Sequence, residues 1–161
     1  MVNEPSNSGD AEDCVTFSYW DTMGEAGNGD GKWWNDDGCS KPFGYACEAY
    51  FEEFHLSEDP WPTTGGCKNG WTQFGGGCYR LFGSHQSSVE GDIELPFDNA
   101  KEYCSTVWPG ATLAVFHNPY YQFFATSMMD GQRKNTWIGL LVTSTNGMAG
   151  SYFIKNKFDK I

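Results

Sequence analysis

Six cysteines, at positions 14, 39, 47, 67, 78 and 104, constrain this chain more than any other feature. They form an even set, and no pair has the two-residue spacing of a zinc knuckle or a thioredoxin-type redox motif, so three disulfides are the expected use. Disulfides imply an oxidising compartment, secreted, extracellular or luminal. The amino terminus, Met1-Val2-Asn3-Glu4-Pro5, lacks the basic-then-apolar order of a signal peptide, and the conflict points to an incomplete or mis-started product.

The residues available to fill a core agree with a stapled fold. Aromatics make up 17% of the chain, with 20 Gly and 7 Trp, which suits a loop-rich domain packed by rings rather than a helical bundle. A length of 161 residues allows one domain of ordinary size or two very small ones. A formal net charge of -11 leaves no basic surface to neutralise a phosphate backbone, so nucleic acid is not an expected partner. No run approaches the eighteen or so apolar residues a bilayer requires, so no membrane span is expected.

Composition changes at residues 50–66, where Glu58-Asp59-Pro60-Trp61-Pro62 and Gly65-Gly66 break any periodicity, and this stretch reads as a linker. Upstream, the short runs from Val15 to Trp20, Lys32 to Trp34 and Tyr45 to Cys47 read as strands between Gly- and Asp-rich turns. Downstream, Gly75-Gly76-Gly77 reads as a turn and Gly77 to Phe82 as a strand. Phe97, Ala100 and Cys104 recur at three and four to mark a helix near 97–107. Asn118-Pro119 offers an N-cap and a proline at the first helical position, which predicts a second short helix over Tyr120 to Met129, packed through Phe123, Phe124 and Met128. Thr136 to Val142 reads as a buried strand, and the tail from Tyr152 to Phe158 as another with little to anchor it.

These blocks resemble the C-type lectin-like domain family. Cys67-Lys68-Asn69-Gly70-Trp71 leading to Cys78-Tyr79 is similar to the family's amino-terminal hairpin. Ala100 to Cys104 resembles its first helix, Ala111-Thr112-Leu113-Ala114 the segment before its second, and Trp137-Ile138-Gly139-Leu140 its central strand. Glu4-Pro5-Ser6, Glu12-Asp13-Cys14, Trp34-Asn35-Asp36, Cys39 and Tyr45-Ala46-Cys47-Glu48 resemble the family's carboxyl-terminal half. The resemblance implies an α+β fold with two short helices, antiparallel sheets and long loops. It also implies halves in permuted order: residues 1–49 as a carboxyl-terminal half, 50–66 as linker and 67–161 as an amino-terminal half. The chain looks like a window cut from a tandem array, or like one domain whose halves complement each other as a circular permutation would. By the same resemblance Cys14 pairs with Cys39 and Cys67 with Cys78, leaving Cys47 for Cys104, within one chain or between two chains of a homodimer that exchanges halves.

Calcium takes six to eight oxygen ligands, which a flexible acidic loop can supply. The resemblance implies Ca²⁺ as cofactor, with Glu4, Ser6, Glu12, Asn35 and Asp36 as both ion ligands and sugar contacts and with a cis Glu4-Pro5 bond. Glu4 lies eight residues before Glu12, and Asp36 three before Cys39, as the family pattern has them. Glu4 points to mannose-, glucose- or N-acetylglucosamine-type diols on a carbohydrate or glycoprotein partner. Ser6 departs from the family's Asn, having no amide carbonyl to offer the ion. Residues 21–31 form an insertion between Glu12 and Asn35, expected to lengthen a surface hairpin. Of Trp33 and Trp34, one is expected in the core and the other is available to stack on a sugar face.

Nothing here is arranged for catalysis. His55, His85 and His117 sit in unrelated contexts without a triad partner. The glycines at 24, 27 and 29 open no helix after a parallel strand, and Lys32 and Trp33 break the EF-hand ligand order. The expectation is therefore a calcium-dependent carbohydrate-binding module without enzymatic activity. The alternatives are a protein-interaction or structural module of the same fold lacking a working ion site, and a truncated fragment with no function of its own.

Overall fold

A computed structural model describes residues 11–17, 34–50, 66–83, 93–116, 118–129, 135–144 and 152–156, the last stretch and residues 142–144 by backbone alone. Among the described residues, eight strands and two helices follow one another as β1 (Cys14–Phe17), β2 (Trp34–Asp37), β3 (Gly44–Tyr50), β4 (Thr72–Phe74), β5 (Gly77–Phe82), α1 (Phe97–Val107), β6 (Thr112–Leu113), α2 (Pro119–Met128), β7 (Thr136–Ser144) and β8 (Tyr152–Asn156). The strands form a single sheet in the order β2-β1-β7-β3-β5-β4, with β6 paired to β3 and β8 to β7. Antiparallel pairing was expected throughout, and one pair departs from it. β3 and β7 run parallel, with Gly44 opposite Thr136 and Tyr45 opposite Trp137.

This order interleaves the two ends of the chain. β3, from the first fifty residues, lies between β7 and β5, both of which follow Gly66 in sequence. Further backbone bonds cross the same seam. The Phe97 N–H donates to the Cys39 carbonyl at 3.0 Å, and Phe43 and Leu95 exchange two bonds at 3.2 and 3.0 Å.

The period of two along β3 and β7 divides the core into two clusters. Tyr45, Cys47, Ala49 and Trp137 join one, with Phe82, Phe97, Ala100 and Cys104. Ala46, Ile138 and Leu140 join the other, with Tyr79, Phe116 and Phe124. Strands buried on both faces account for runs too apolar to alternate cleanly in sequence. Three disulfides staple the arrangement: Cys14–Cys39, Cys47–Cys104 and Cys67–Cys78, the pairs the resemblance implies, and all form within one chain.

The helices begin and end where local chemistry directs. α1 starts after Pro96 with Asp98 in its first turn, favourable against the helix dipole, and ends before Pro109 and Gly110, the latter at φ 86°. Asn118 caps α2, its side-chain oxygen accepting from the Tyr121 N–H at 3.1 Å, and Pro119 occupies the first helical position. Phe124 is buried and Met128 half-buried as expected, but Phe123 is not. It is 74% exposed, because only Phe124 and Ala125 of α2 turn fully inward. The β4–β5 hairpin turns at Gly75 and Gly76, both with positive φ, as a two-residue hairpin loop demands.

Two strand readings also change in extent. Thr136 to Leu140 is largely buried, whereas Leu141 is 41% exposed. The described part of the tail, residues 152–156, pairs along β7, from Leu140 opposite Asn156 to Ser144 opposite Tyr152, and residues 157 and 158 lie outside the described residues.

Candidate functional site

β1 and β2 pair in antiparallel register, with Cys14 opposite Asp37, Val15 opposite Asp36, Thr16 opposite Asn35 and Phe17 opposite Trp34. This ladder places Asn35 and Asp36 consecutively on β2, close to the Cys14–Cys39 bridge. Thr16 Oγ1 donates to the Asn35 carbonyl at 3.2 Å, and Asn35 Nδ2 donates to the Asp36 carbonyl at 2.8 Å. The nitrogen end of the Asn35 amide is thus fixed on the backbone, and its oxygen end is the part suited to a cation. Asp36 is 1% exposed, an extreme burial for a carboxylate.

The neighbouring residues form a second acidic contact. Asp37 Oδ1 accepts from the Gly38 N–H at 2.8 Å and from Lys41 Nζ, an ion pair at the turn after β2. The Lys41 amine is held above its ordinary pKa by the hydrogen bond and charge of Asp37, with a further contribution from Glu12. Glu12, two residues before Cys14, therefore lies on the Lys41 side of the ladder, at the end where β2 runs out, while Asn35 and Asp36 lie further along it.

Of the five ligand positions expected from sequence, Glu12, Asn35 and Asp36 are described, and Glu4 and Ser6 lie outside the described residues, as does Trp33. Trp34 is half-buried against the second core cluster. Among the described residues no group of three or more His, Cys, Asp or Glu is gathered closely enough to hold a metal. Asn35 and Asp36 have oxygen chemistry that fits calcium, but with Glu12 they cannot furnish its six to eight ligands. A complete shell needs further oxygens.

A different buried group escaped the reading of the sequence. Glu48 of β3 is 1% exposed, and its carboxyl is pushed up to about 7 by burial, against smaller opposing effects of the Val115 N–H and the Tyr50 hydroxyl. The signal was available. Glu48 is the one charged residue in the otherwise apolar and aromatic run from Tyr45 to Tyr50.

Residues 93–159 match the family model described as Lectin C-type domain. Over 127 residues, 78% of this chain, the sequence is 28% identical to "C-type mannose receptor 2" from Homo sapiens, and to the proteins of that name from Mus musculus and Rattus norvegicus. The chain spans about 7% of the length of these relatives. No solved structure matches it significantly. No helix among the described residues is long and apolar enough to cross a membrane.

Proposed function

We propose that this chain, which carries a C-type lectin-like domain of α+β fold, is a non-enzymatic extracellular module that binds carbohydrate through a calcium ion held at the amino-terminal end of the sequence. Asn35 and Asp36 supply two of its ligands, with Glu4, Ser6 and Glu12 completing the protein's share. The observation that supports this reading is the β1–β2 ladder. It carries an amide and a carboxylate consecutive in sequence, with the amide nitrogen already engaged and the carboxylate buried, beside a disulfide that limits movement. Bound there, the ion would take two vicinal sugar hydroxyls in place of water. Carboxylates accept and amides donate hydrogen bonds to those hydroxyls, and Glu4 favours mannose-, glucose- or N-acetylglucosamine-type diols. The mannose receptor name of the relatives agrees with this choice.

The reading includes the permuted organisation: residues 1–49 act as the carboxyl-terminal half of one domain and 67–161 as its amino-terminal half, joined through 50–66. The position of β3 between β7 and β5 supports it.

Retention of the oxidised protein on mannan-agarose, with release by EDTA, is the test. Retention that ignores EDTA, or no retention, removes the sugar reading. A second reading, a protein-binding module with no working ion site, draws support from Tyr120 and Phe123, 78% and 74% exposed one turn apart on α2. It predicts that α2 variants, and not Asp36 variants, lose the ligand.

A further inference from the structure

Glu48 and its surroundings join the two ends of the chain at one buried point. Glu48 sits on β3, with Tyr79 of β5 as its cross-strand partner on one side and Thr112 of β6 on the other. Its Oε2 accepts from the Val115 N–H at 3.1 Å, a bond spanning 67 residues of sequence, and from the Tyr50 hydroxyl at 3.4 Å. Its Oε1 is buried without a hydrogen-bond partner. Aromatic rings wall the site, with Phe116 and Phe124 at 6.1 and 5.1 Å from the Tyr79 ring. The titratable groups that act on the cluster are Tyr50 from β3 itself, Tyr79 from β5 and Tyr121 from α2, and no cation is among the causes acting on the Glu48 carboxyl.

An ionised carboxylate has four acceptor positions to fill and here finds two donors, at a site closed to water. A neutral carboxyl needs less. Its hydroxyl can be carried on Oε1, where burial leaves room for no charge, while Oε2 keeps both of its donors.

We propose that Glu48 is a proton-operated latch across the seam between the amino-terminal segment and the remainder of the domain: the neutral carboxyl closes the contact between β3, β5 and the Val115 segment, and loss of its proton loosens it. The raised pKa agrees, because about 7 places the change within the span from acidified to neutral compartments. In the opened seam Glu48 meets water and titrates near its ordinary value of 4.5. Opening therefore becomes more favourable as pH rises from about 4.5 to about 7 and levels off above, since both states are then ionised. The latch is tightest in acid. It lies on β3, three strands from β2 in the sheet order, and stands or falls independently of any ion at Asn35 and Asp36.

The test is carboxyl-carbon NMR on the oxidised protein labelled in glutamate, with the Glu48 resonance identified by its loss in Glu48→Gln. Alongside it, protection of the Val115 amide from hydrogen exchange is measured at pH 5 and pH 8, corrected for the intrinsic exchange rate. The latch predicts a Glu48 midpoint near 7 and a fall in Val115 protection of about a hundredfold in the wild type, with little change in Glu48→Gln. A Glu48 midpoint near 4.5 overturns the proposal; if Glu48→Gln does not fold, the resonance is assigned through its own backbone by triple-resonance NMR of the wild type. So does Val115 protection that varies equally in both proteins.

Discussion

Cys47 of β3 and Cys104 of α1 are joined by a disulfide across 57 residues of sequence, their Cα atoms 5.5 Å apart. Cys104 lies on the inward face of α1 with Phe97 and Ala100, and Cys47 points to the same cluster from the centre of the sheet. The bridge thus ties α1 covalently to the strand that the amino-terminal segment contributes. A cross-link over such a loop limits the unfolded chain by about 4 kcal/mol in the chain-entropy account. The double variant Cys47→Ala/Cys104→Ala should lose stability of that order in urea unfolding at neutral pH. Loss of less than about 1 kcal/mol would show that the seam is held by packing alone.

Gly139 is the glycine of Trp137-Ile138-Gly139-Leu140, and the structure explains it. Its N–H donates to the Ala114 carbonyl at 2.9 Å, and a Cβ built there would stand 2.5 Å from the Leu113 carbonyl oxygen. Backbone cannot retreat as a flexible side chain can. Gly139→Ala should therefore destabilise by about 1–3 kcal/mol, the range for overpacking, as read from the denaturant midpoint.

The two adjacent phenylalanines of α2 should behave in opposite ways. Phe124 stacks on Phe74 with ring centroids 4.3 Å apart, while Phe123 is exposed. Phe124→Ala should cost about 3–5 kcal/mol. Phe123→Ser should stay within about 0.5 kcal/mol in the same thermal or urea melt.

Glu48 makes the fold's stability depend on pH in a direction opposite to most carboxylates. Its folded pKa of about 7 exceeds the ordinary 4.5, so the folded state holds the extra proton between those values. Its contribution is fully present below 4.5 and is lost as pH rises through 7, amounting to about 3 kcal/mol for 2.5 units. Compared with the wild type, Glu48→Gln should gain that much relative stability between pH 4.5 and pH 8. Parallel stability curves for the two proteins would contradict it.

Much of this was legible in sequence, for reasons that differ by element. α1 announced itself through Phe97, Ala100 and Cys104, and α2 through Asn118-Pro119, because helical period and capping are local properties. The inward face of α2 was harder to read. Consecutive aromatics leave the 3.6-residue period ambiguous, and packing against Phe74 and Tyr79 chose Phe124 over Phe123. The parallel pairing of β3 and β7 carries no local signature, since it follows from how the two ends of the chain meet. Glu48 was visible as a charge in an apolar run, but its burial depends on Tyr79 and Val115, which are distant in sequence. The resemblance named Asn35 and Asp36 together, and register with Thr16 and Val15 keeps them adjacent on β2.

Calorimetry tests the proposed calcium site most directly. Calcium should be titrated into oxidised, EDTA-treated protein at concentrations reaching the millimolar range used by extracellular modules. The account predicts a saturable heat of binding that is lost in Asp36→Asn and in Asn35→Ala, both still folded by circular dichroism. A wild-type protein that is folded and gives no heat would contradict it.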